Sequence, residues 1–245
     1  MPRIFETLAE NIQQEKLVAL ATILSGPGLG SKLLIWPDGT SRGGLENDLV
    51  NRQVIQRARE LFQTLNPERV SIDVGDETVE VFIELFPPPA RLVIIGAVHI
   101  AIYLVSFAKI LNLHTIVIDP RSAFATRERF PNVDELIVQW PDEALNALNI
   151  NESTFIVTLS HDEKLDTPAL EIALNSPARY IGALGSRRTH AKRVAALKAS
   201  GLTDEQIARI HAPIGLNIGT RGAEEIALSI IAEIIAVDHG INLNL

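Results

Sequence analysis

Three consecutive prolines, Pro87-Pro88-Pro89, divide this chain of 245 residues into two segments with different sequence patterns. Proline lacks a backbone N–H and has a fixed φ, so a run of three belongs in neither a helix nor a central strand. We interpret residues 87–90 as an extended linker between an N-terminal domain, residues 1–86, and a C-terminal domain, residues 91–245. The chain is long enough for one large domain or two smaller ones.

The N-terminal segment has the pattern of a small α+β domain. Apolar residues at helical spacing alternate there with short strand-like runs. Gly75-Asp76 lies between two such runs and indicates a hairpin. The pattern predicts, in this order, a short helix over residues 5–14, two strands over 16–24 and 32–36, an amphipathic helix over 45–65, and a hairpin of the strands 69–73 and 78–85.

The C-terminal segment repeats a different unit, in which a short apolar run is followed by a helix-compatible stretch. The predicted strands are residues 91–95, 114–119, 136–138, 155–158 and 179–183. Alternating strands and helices are typical of a parallel sheet with right-handed connections. The fold class is therefore α/β, with a Rossmann-like doubly wound parallel sheet after a smaller α+β domain.

Composition excludes several function classes. The formal net charge is -8, which disfavours nucleic acid as a partner because phosphate binding needs a basic face. The chain has no cysteine, so disulfides, thiolate metal sites and thiol nucleophiles are excluded. The first residues do not resemble a signal peptide, and no apolar run approaches the ~18–20 residues of a membrane span. We expect a cytoplasmic protein with no membrane partner.

Gly96-Ala97-Val98-His99 follows the first strand of the C-terminal segment and opens a helix. This is the place of the dinucleotide fingerprint, and Asp119 ends the next strand, where an acid would bind ribose hydroxyls. Val98 stands where the fingerprint has its second glycine, so a β-branched side chain crowds the pyrophosphate position. Gly96, Ala97, His99 and Asp119 are candidate cofactor-binding residues, and binding of NAD(P) is expected to be weakened by Val98.

His161 and Asp162 follow another predicted strand and lie at the same sheet edge, and both are candidate cofactor-binding residues. His161 with Asp162 or Asp166 has the composition of a proton-transfer pair, and Asp162 is equally suited to capping the next helix. No histidine pair has a local metal-ligand spacing, so we assign no metal residues.

Two glycine-rich turns and an arginine pair lie between residues 179 and 230, and they form a plausible phosphate-binding site at strand ends. The candidate residues here are Gly182, Gly185, Ser186, Arg187, His211 and Gly215. For the more distal Arg193, a phosphate ligand and a solvated helix face remain alternatives.

Taken together, these motifs resemble the XdhC/CoxI family, the maturation factors of xanthine dehydrogenase and related molybdenum hydroxylases. The resemblance covers residues 90–236 and, more weakly, 17–65. It implies a chaperone that binds molybdenum cofactor (molybdopterin), aids its sulfuration with a cysteine desulfurase and delivers it to an apo-molybdenum hydroxylase. It implies cofactor insertion without catalytic turnover, so no catalytic residue is assigned, and a homodimer is one option for the assembly.

The chain departs from the family pattern at three positions. Val98 replaces a glycine, Leu45 replaces a common cysteine, and Asn217 replaces an acid. Two alternatives therefore stay open: an NAD(P)-binding oxidoreductase, and a degenerate nucleotide-binding regulatory protein. Neither Tyr103 nor Tyr180 has a lysine four residues on, which disfavours one common hydride-transfer arrangement.

Overall fold

The structure of the protein is a computed structural model that describes residues 4–241. The chain divides into two compact units between Pro88 and Pro89. The stretch 87–90 has no regular secondary structure and joins the last strand of the first unit to the first strand of the second.

The first unit is a five-stranded antiparallel sheet with two helices. Its elements are α1 (Ile4–Gln13), β1 (Val18–Ser25), β2 (Lys32–Ile35), β3 (Ser41–Gly44), α2 (Asp48–Thr64), β4 (Glu68–Val74) and β5 (Glu77–Phe86). The strand order is β3-β2-β1-β5-β4. Alternate residues of β5 are buried, including Val79, Val81 and Ile83, and they pack with one side of α2 in a single apolar core.

The second unit is a six-stranded parallel sheet flanked by helices. Its elements are β6 (Arg91–Ile95), α3 (His99–Ile110), β7 (His114–Ile118), β8 (Glu135–Ile137), α4 (Pro141–Ala147), β9 (Thr154–Thr158), α5 (Glu163–Leu174), β10 (Tyr180–Ala183), α6 (Arg187–Ala199), α7 (Asp204–Ile207), β11 (Ile210–His211) and α8 (Ala223–Asp238). The strand order is β11-β10-β9-β6-β7-β8.

Both faces of this sheet are covered, as the continuous apolar runs require. Leu92 and Ile94 of β6 pack in one core cluster with α3 and α8, and Val93 and Ile95 pack in the other with α5. The chain runs from β6 through β7 to β8, then returns to β9 on the other side of β6. This reversal makes the carboxyl ends of β6 and β9 the topological switch point, where ligands bind in folds of this kind.

The predicted fold class is confirmed. The amphipathic helix begins at Asp48, three residues later than predicted, because Asn47 caps it through its side chain while Leu45 is buried ahead of the cap. Strands β3 and β11 were not predicted. In the described part of the chain no helix is long and apolar enough to cross a membrane.

Candidate ligand site at the switch point

The loops that follow β6 and β9 touch each other. Ile95 and Thr158 are partners in the parallel register, so both strands end at the same level. Gly96 has a φ of +103°, and a Cβ added there would lie 2.9 Å from the backbone nitrogen of Ser160. Only glycine fits this conformation and this close approach without strain. Gly96 therefore lets the loop after β6 pack closely against the loop after β9 at the switch point.

Ala97 is held on both sides of its backbone by side chains from the region after β7. Its N–H donates to Oδ2 of Asp119 at 2.8 Å, and its carbonyl accepts from Nη1 of Arg129 at 2.9 Å. The same Arg129 nitrogen donates to the carbonyl of Phe124 at 2.7 Å. These bonds fix the position of the loop after β6.

Asp119 is fully buried, and both of its carboxylate oxygens are used within the chain. Oδ1 accepts from the backbone N–H and from Nε of Arg121, each at 2.9 Å, and Oδ2 accepts from Nη2 of Arg121 at 2.7 Å and from Ala97. Burial acts to raise the pKa of Asp119, but the hydrogen bonds from Arg121 and Ala97 outweigh it and lower the pKa.

A carboxylate has about four acceptor positions, and those of Asp119 are all taken. A ribose would have to displace Arg121 to reach this acid. The residues present at this point therefore do not fit a dinucleotide.

The N-terminus of α3 points at the same crevice. Val98 is its N-cap residue and supplies no side-chain cap, while its own side chain packs against the core beneath. His99 is exposed and makes an edge contact with the Tyr103 ring, with centroids 5.2 Å apart. Backbone N–H groups and the positive end of a helix dipole favour an anion here.

The loop after β9 combines capping with an unusual backbone conformation. Asp162 is the N-cap residue of α5 and accepts from the N–H of Lys164 at 3.0 Å, so the capping role is present. His161 is exposed with a φ of +59°. A non-glycine residue in this region is uncommon and marks a loop that its neighbours hold in place.

The neighbours of this loop are a buried acid and a buried base. Asp166 of α5 is 3% exposed and accepts from the Ser160 hydroxyl at 2.6 Å. Arg193 of α6 is 7% exposed, and its Nη2 lies 3.6 Å from Oδ2 of Asp166 and donates to the carbonyl of Leu184 at 2.9 Å. Burial raises the pKa of Asp166, against the opposing effects of Ser160 and Arg193.

The candidates after β10 divide into packing and capping positions. Gly182 is buried in the sheet, where a Cβ would lie 2.4 Å from Cδ1 of Ile214. Gly185 has a φ of +139°, and Ser186 caps α6 by accepting from the N–H of Thr189 at 3.2 Å. Arg187 is exposed. Arg187 is the one charged residue among these four candidates, and it lies on the surface.

His211 belongs to a cluster on the α8 side of the sheet. Its ring stacks on Tyr180 with centroids 4.7 Å apart, and Nδ1 lies 3.7 Å from Oε1 of Glu233. Oε2 of Glu233 accepts from the Tyr180 hydroxyl and from the N–H of Gly215 at 2.9 Å. Gly215 has a φ of +90°, and a Cβ there would lie 2.4 Å from the Ser229 hydroxyl oxygen.

The pKa values of this cluster follow from its burial and its hydrogen bonds. Burial, the negative charge of Glu233 and the hydrogen bond to it raise the pKa of Tyr180 well above its usual value. Burial also acts to raise the pKa of Glu233, but the nearby His211 ring and the hydrogen bonds from Tyr180 and Gly215 lower it overall. The hydrogen bond from Gly215 to Glu233 holds the loop after β11 against α8.

The predicted site residues do not all meet at one point. The loops after β6, β7 and β9 come together and contain Gly96, Ala97, His99, Asp119, His161 and Asp162. From β7 to β11 there are four strand spacings, or about 19 Å at ~4.8 Å each. His211 therefore lies well away from Asp119, and Gly215 packs against Ser229 and Glu233 of α8. Among residues 4–241, no group of three or more acidic or histidine side chains is arranged to hold a metal ion.

Four residues important to this geometry were missed or left undecided from the sequence. Arg121 and Arg129 sit in an irregular segment with no repeating pattern. Glu233 lies among buried apolar residues of the last helix such as Ile230 and Ile234, and an acid at such a position was the available signal for a buried partner. Arg193 was left open between a phosphate ligand and a solvated face, and the structure buries it.

Comparison with protein families gives two matches. Residues 92–234, more than half of the chain, match the XdhC Rossmann domain, and residues 12–73 match the XdhC and CoxI family. The chain belongs to the XdhC and CoxI family. The resemblance inferred from the motifs is thereby confirmed.

Three curated relatives are similar to this family member. YqeB of Escherichia coli K12, an uncharacterized protein, is 30% identical in an alignment of 253 positions that covers 96% of this chain and 46% of YqeB. A Bacillus subtilis 168 protein, named as a probable subunit of xanthine dehydrogenase, is 32% identical over 160 residues, 65% of this chain and 46% of the relative. The molybdenum cofactor insertion chaperone PaoD of E. coli K12 is 38% identical over 88 residues, 36% of this chain and 28% of PaoD.

The chain thus spans about half the length of the first two relatives, and its match with the third covers less. A crystal structure of a xanthine dehydrogenase from Bacillus halodurans aligns with 97% of this family member and 96% of its own chain, with a TM-score of 0.56. At 22% identity this likeness shows a shared fold.

Proposed function

We propose that this family member binds molybdenum cofactor and delivers it to an apo-molybdenum hydroxylase of the xanthine dehydrogenase type. The likeness to PaoD, whose name states cofactor insertion, carries the proposal. The name of the B. subtilis relative, which refers to xanthine dehydrogenase, supports the same enzyme class as the recipient. In this role the cofactor is cargo, and the chain does not convert it.

The switch point supplies what a carrier of this cargo needs. An anionic ligand meets the uncapped N-terminus of α3 beside the exposed His99. The acid nearest to it, Asp119, is already neutralised by Arg121, which removes one source of repulsion. A carrier must also release its cargo, and a shallow site at a crevice between fixed loops suits moderate affinity.

We also propose a cysteine desulfurase as a second partner. The chain has no cysteine of its own, so a persulfide that donates sulfur to the cofactor would form on that enzyme. A homodimer in the cytoplasm is the assembly we propose. Sedimentation of the purified protein tests the dimer, and co-purification with a desulfurase tests the partner.

The test of the main proposal is a stoichiometric transfer. The protein is purified from molybdenum-replete cells, its cofactor content is measured by native mass spectrometry, and it is mixed with an apo-molybdenum hydroxylase from the same cell. Hydroxylase activity should appear in proportion to the cofactor carried, with about one equivalent transferred. The same protein from cells that lack the cofactor is the control and should give no activity.

Two results would contradict the proposal. One is a protein that never retains cofactor under these conditions and leaves the apo-hydroxylase inactive. The other is a purified protein that oxidises or reduces small substrates with NAD(P) over many cycles, because this would be the alternative oxidoreductase activity.

A further inference from the structure

Arg193 has a buried donor that no protein group satisfies. Its side chain is 7% exposed, and one terminal nitrogen, Nη2, contacts Asp166 and the carbonyl of Leu184. The other, Nη1, is buried and has no hydrogen-bond partner within residues 4–241. A guanidinium has five N–H donors, and leaving a buried charged donor unsatisfied is costly. The described residues therefore leave this nitrogen of Arg193 without an acceptor.

A small cavity lies beside this arginine, between α5 and α6. Its volume is about 30 Å³. The polar side chains that line it include His161, Glu163, Asp166, Thr189, Lys192 and Arg193. A cavity of this size holds about two water molecules. It is too small for a ring system, and it is large enough for the inner oxygens of a phosphoryl group.

The charge distribution on α6 favours an anion at this place. The helix has five basic side chains and no acidic one, and three of the five lie within its first six residues. The N-terminal end of a helix is its positive end, where acidic residues are normally the stabilising choice. Lys192 and Arg193 bring two of these charges to the cavity.

The acids that face the cavity are Glu163 and Asp166. Asp166 is engaged by the Ser160 hydroxyl and by Arg193, so its charge is largely compensated. Glu163 is exposed in the first turn of α5. The donors that remain are Nη1 of Arg193 and the ammonium group of Lys192. The Thr189 hydroxyl lies 3.0 Å from the Ser186 hydroxyl, and it can donate to an anion when Ser186 is the donor of the hydrogen bond between the two.

We propose that this cavity is an oxoanion site that takes a phosphomonoester, with Arg193, Lys192 and Thr189 as its donors. The identity of the phosphate carrier rests on the proposed function, in which the bound cofactor supplies the phosphate. In this proposal the phosphate contacts the buried Arg193 and not the exposed Arg187, which was the residue predicted from the sequence. Arg193 lies one to two turns further along the same helix.

Inorganic phosphate is the probe, because it tests the site without any cofactor. Binding is measured by calorimetric titration of the full chain, in buffers of constant ionic strength. Lys192→Ala removes an exposed donor of the site, and Lys198→Ala removes the same charge from the last turn of the same helix, outside the cavity. We expect Lys192→Ala to weaken phosphate binding roughly 10- to 150-fold and Lys198→Ala to leave it unchanged.

Arg193→Lys is the second variant, because it keeps the charge and loses the planar fork. It should weaken phosphate binding at least tenfold while the protein keeps its near-ultraviolet circular dichroism. If this variant does not fold, the Lys192 and Lys198 pair still decides the question. Absence of phosphate binding by the unmodified chain, or equal losses in both lysine variants, would overturn the proposal.

A failure here is separable from a failure of the proposed function. A chain that binds phosphate at this site but transfers no cofactor leaves the oxoanion site intact and removes the carrier role. A chain that transfers cofactor but binds phosphate with the same affinity after Lys192→Ala keeps the carrier role and removes this site.

Discussion

At the scale of single residues, several polar side chains that the sequence marked as ligand-binding already hold hydrogen-bond partners within the chain. Asp119 holds Ala97 and Arg121, Asp162 caps α5, and Ser186 caps α6. A sequence shows that an acid or a hydroxyl ends a strand, but it does not show which partner the side chain meets. That depends on residues far away in the chain, such as the pair Tyr180 and Glu233, 53 positions apart.

Asp119 is expected to contribute to stability in a pH-dependent way. Asp119→Asn should lower the free energy of unfolding at pH 7 by about 2 kcal/mol, since it weakens charge-assisted hydrogen bonds to Arg121 and Ala97. Because the folded pKa of Asp119 is lowered, its contribution is complete above the unfolded pKa of about 4 and is lost as pH falls through the folded pKa. Urea unfolding at several pH values measures this.

The control for this experiment is Asp76→Asn, which changes an exposed acid in the turn between β4 and β5. It should have little effect at any pH. A stability difference between the native protein and Asp119→Asn that stays the same at pH 7 and at pH 3 would count against the buried pairing of Asp119.

Tyr180 allows a second test at the scale of residues. The chain has two tyrosines, so replacing the other one leaves Tyr180 as the single phenol to be titrated. In a Tyr103→Phe variant, the remaining tyrosine is Tyr180, and its raised pKa should keep the phenol protonated well above pH 10 while the protein is folded. The stability that Tyr180 contributes is therefore complete below the unfolded pKa of about 10 and declines as pH rises through the folded pKa. Phenolate absorbance during an alkaline titration of the folded variant measures the pKa of Tyr180.

Tyr180→Phe should cost roughly 1–3 kcal/mol of unfolding free energy at pH 7, because Glu233 loses one of its hydrogen bonds in a buried place. An early phenolate signal from the folded Tyr103→Phe variant, at or below pH 10, would contradict the placement of Tyr180 against Glu233.

At the scale of elements, the sequence predicted what periodicity controls. The strand at 91–95 follows from a short apolar run and the helix from the helix-compatible stretch after it, and both are present as β6 and α3. Strand β11 has two residues and pairs Ile210 and His211 with Ile181 and Gly182. Nothing in two residues distinguishes a strand from a turn, so only the tertiary pairing defines it.

The start of α3 carries a prediction about nucleotides. The native protein should bind NADH weakly or not at all, because Val98 stands where the fingerprint has the glycine that lets the backbone approach a pyrophosphate, and because Arg121 occupies Asp119. Val98→Gly alone should strengthen binding less than Val98→Gly combined with Arg121→Ala, since the single change leaves the acid occupied. Fluorescence titration with NADH measures both variants, with Arg121→Ala alone as the control.

A low-micromolar dissociation constant for NADH with the unmodified chain would disprove this account. So would a Val98→Gly variant as tight as the double variant, because it would mean that Arg121 does not restrict access to Asp119.

At the scale of the whole molecule, each unit has its own core. The first unit packs α2 against one face of an antiparallel sheet. The second packs helices on both faces of a parallel sheet. A unit with its own hydrophobic core and a short connection of prolines has what an independently folding domain needs. The prolines and the change of sequence pattern predict two domains, and their independent folding stays a prediction.

Separate production of residues 1–88 and 89–245 tests this autonomy. We expect the larger fragment to unfold cooperatively in urea at nearly the midpoint that its transition has in the full chain, since the division cuts no strand or helix. The smaller fragment should fold with lower stability, because a domain of this size buries a smaller fraction of its surface. Phosphate binding should stay entirely with the larger fragment, where Lys192 and Arg193 lie. If residues 89–245 are unfolded in isolation, or fold without binding phosphate that the full chain does bind, then the second unit depends on the first.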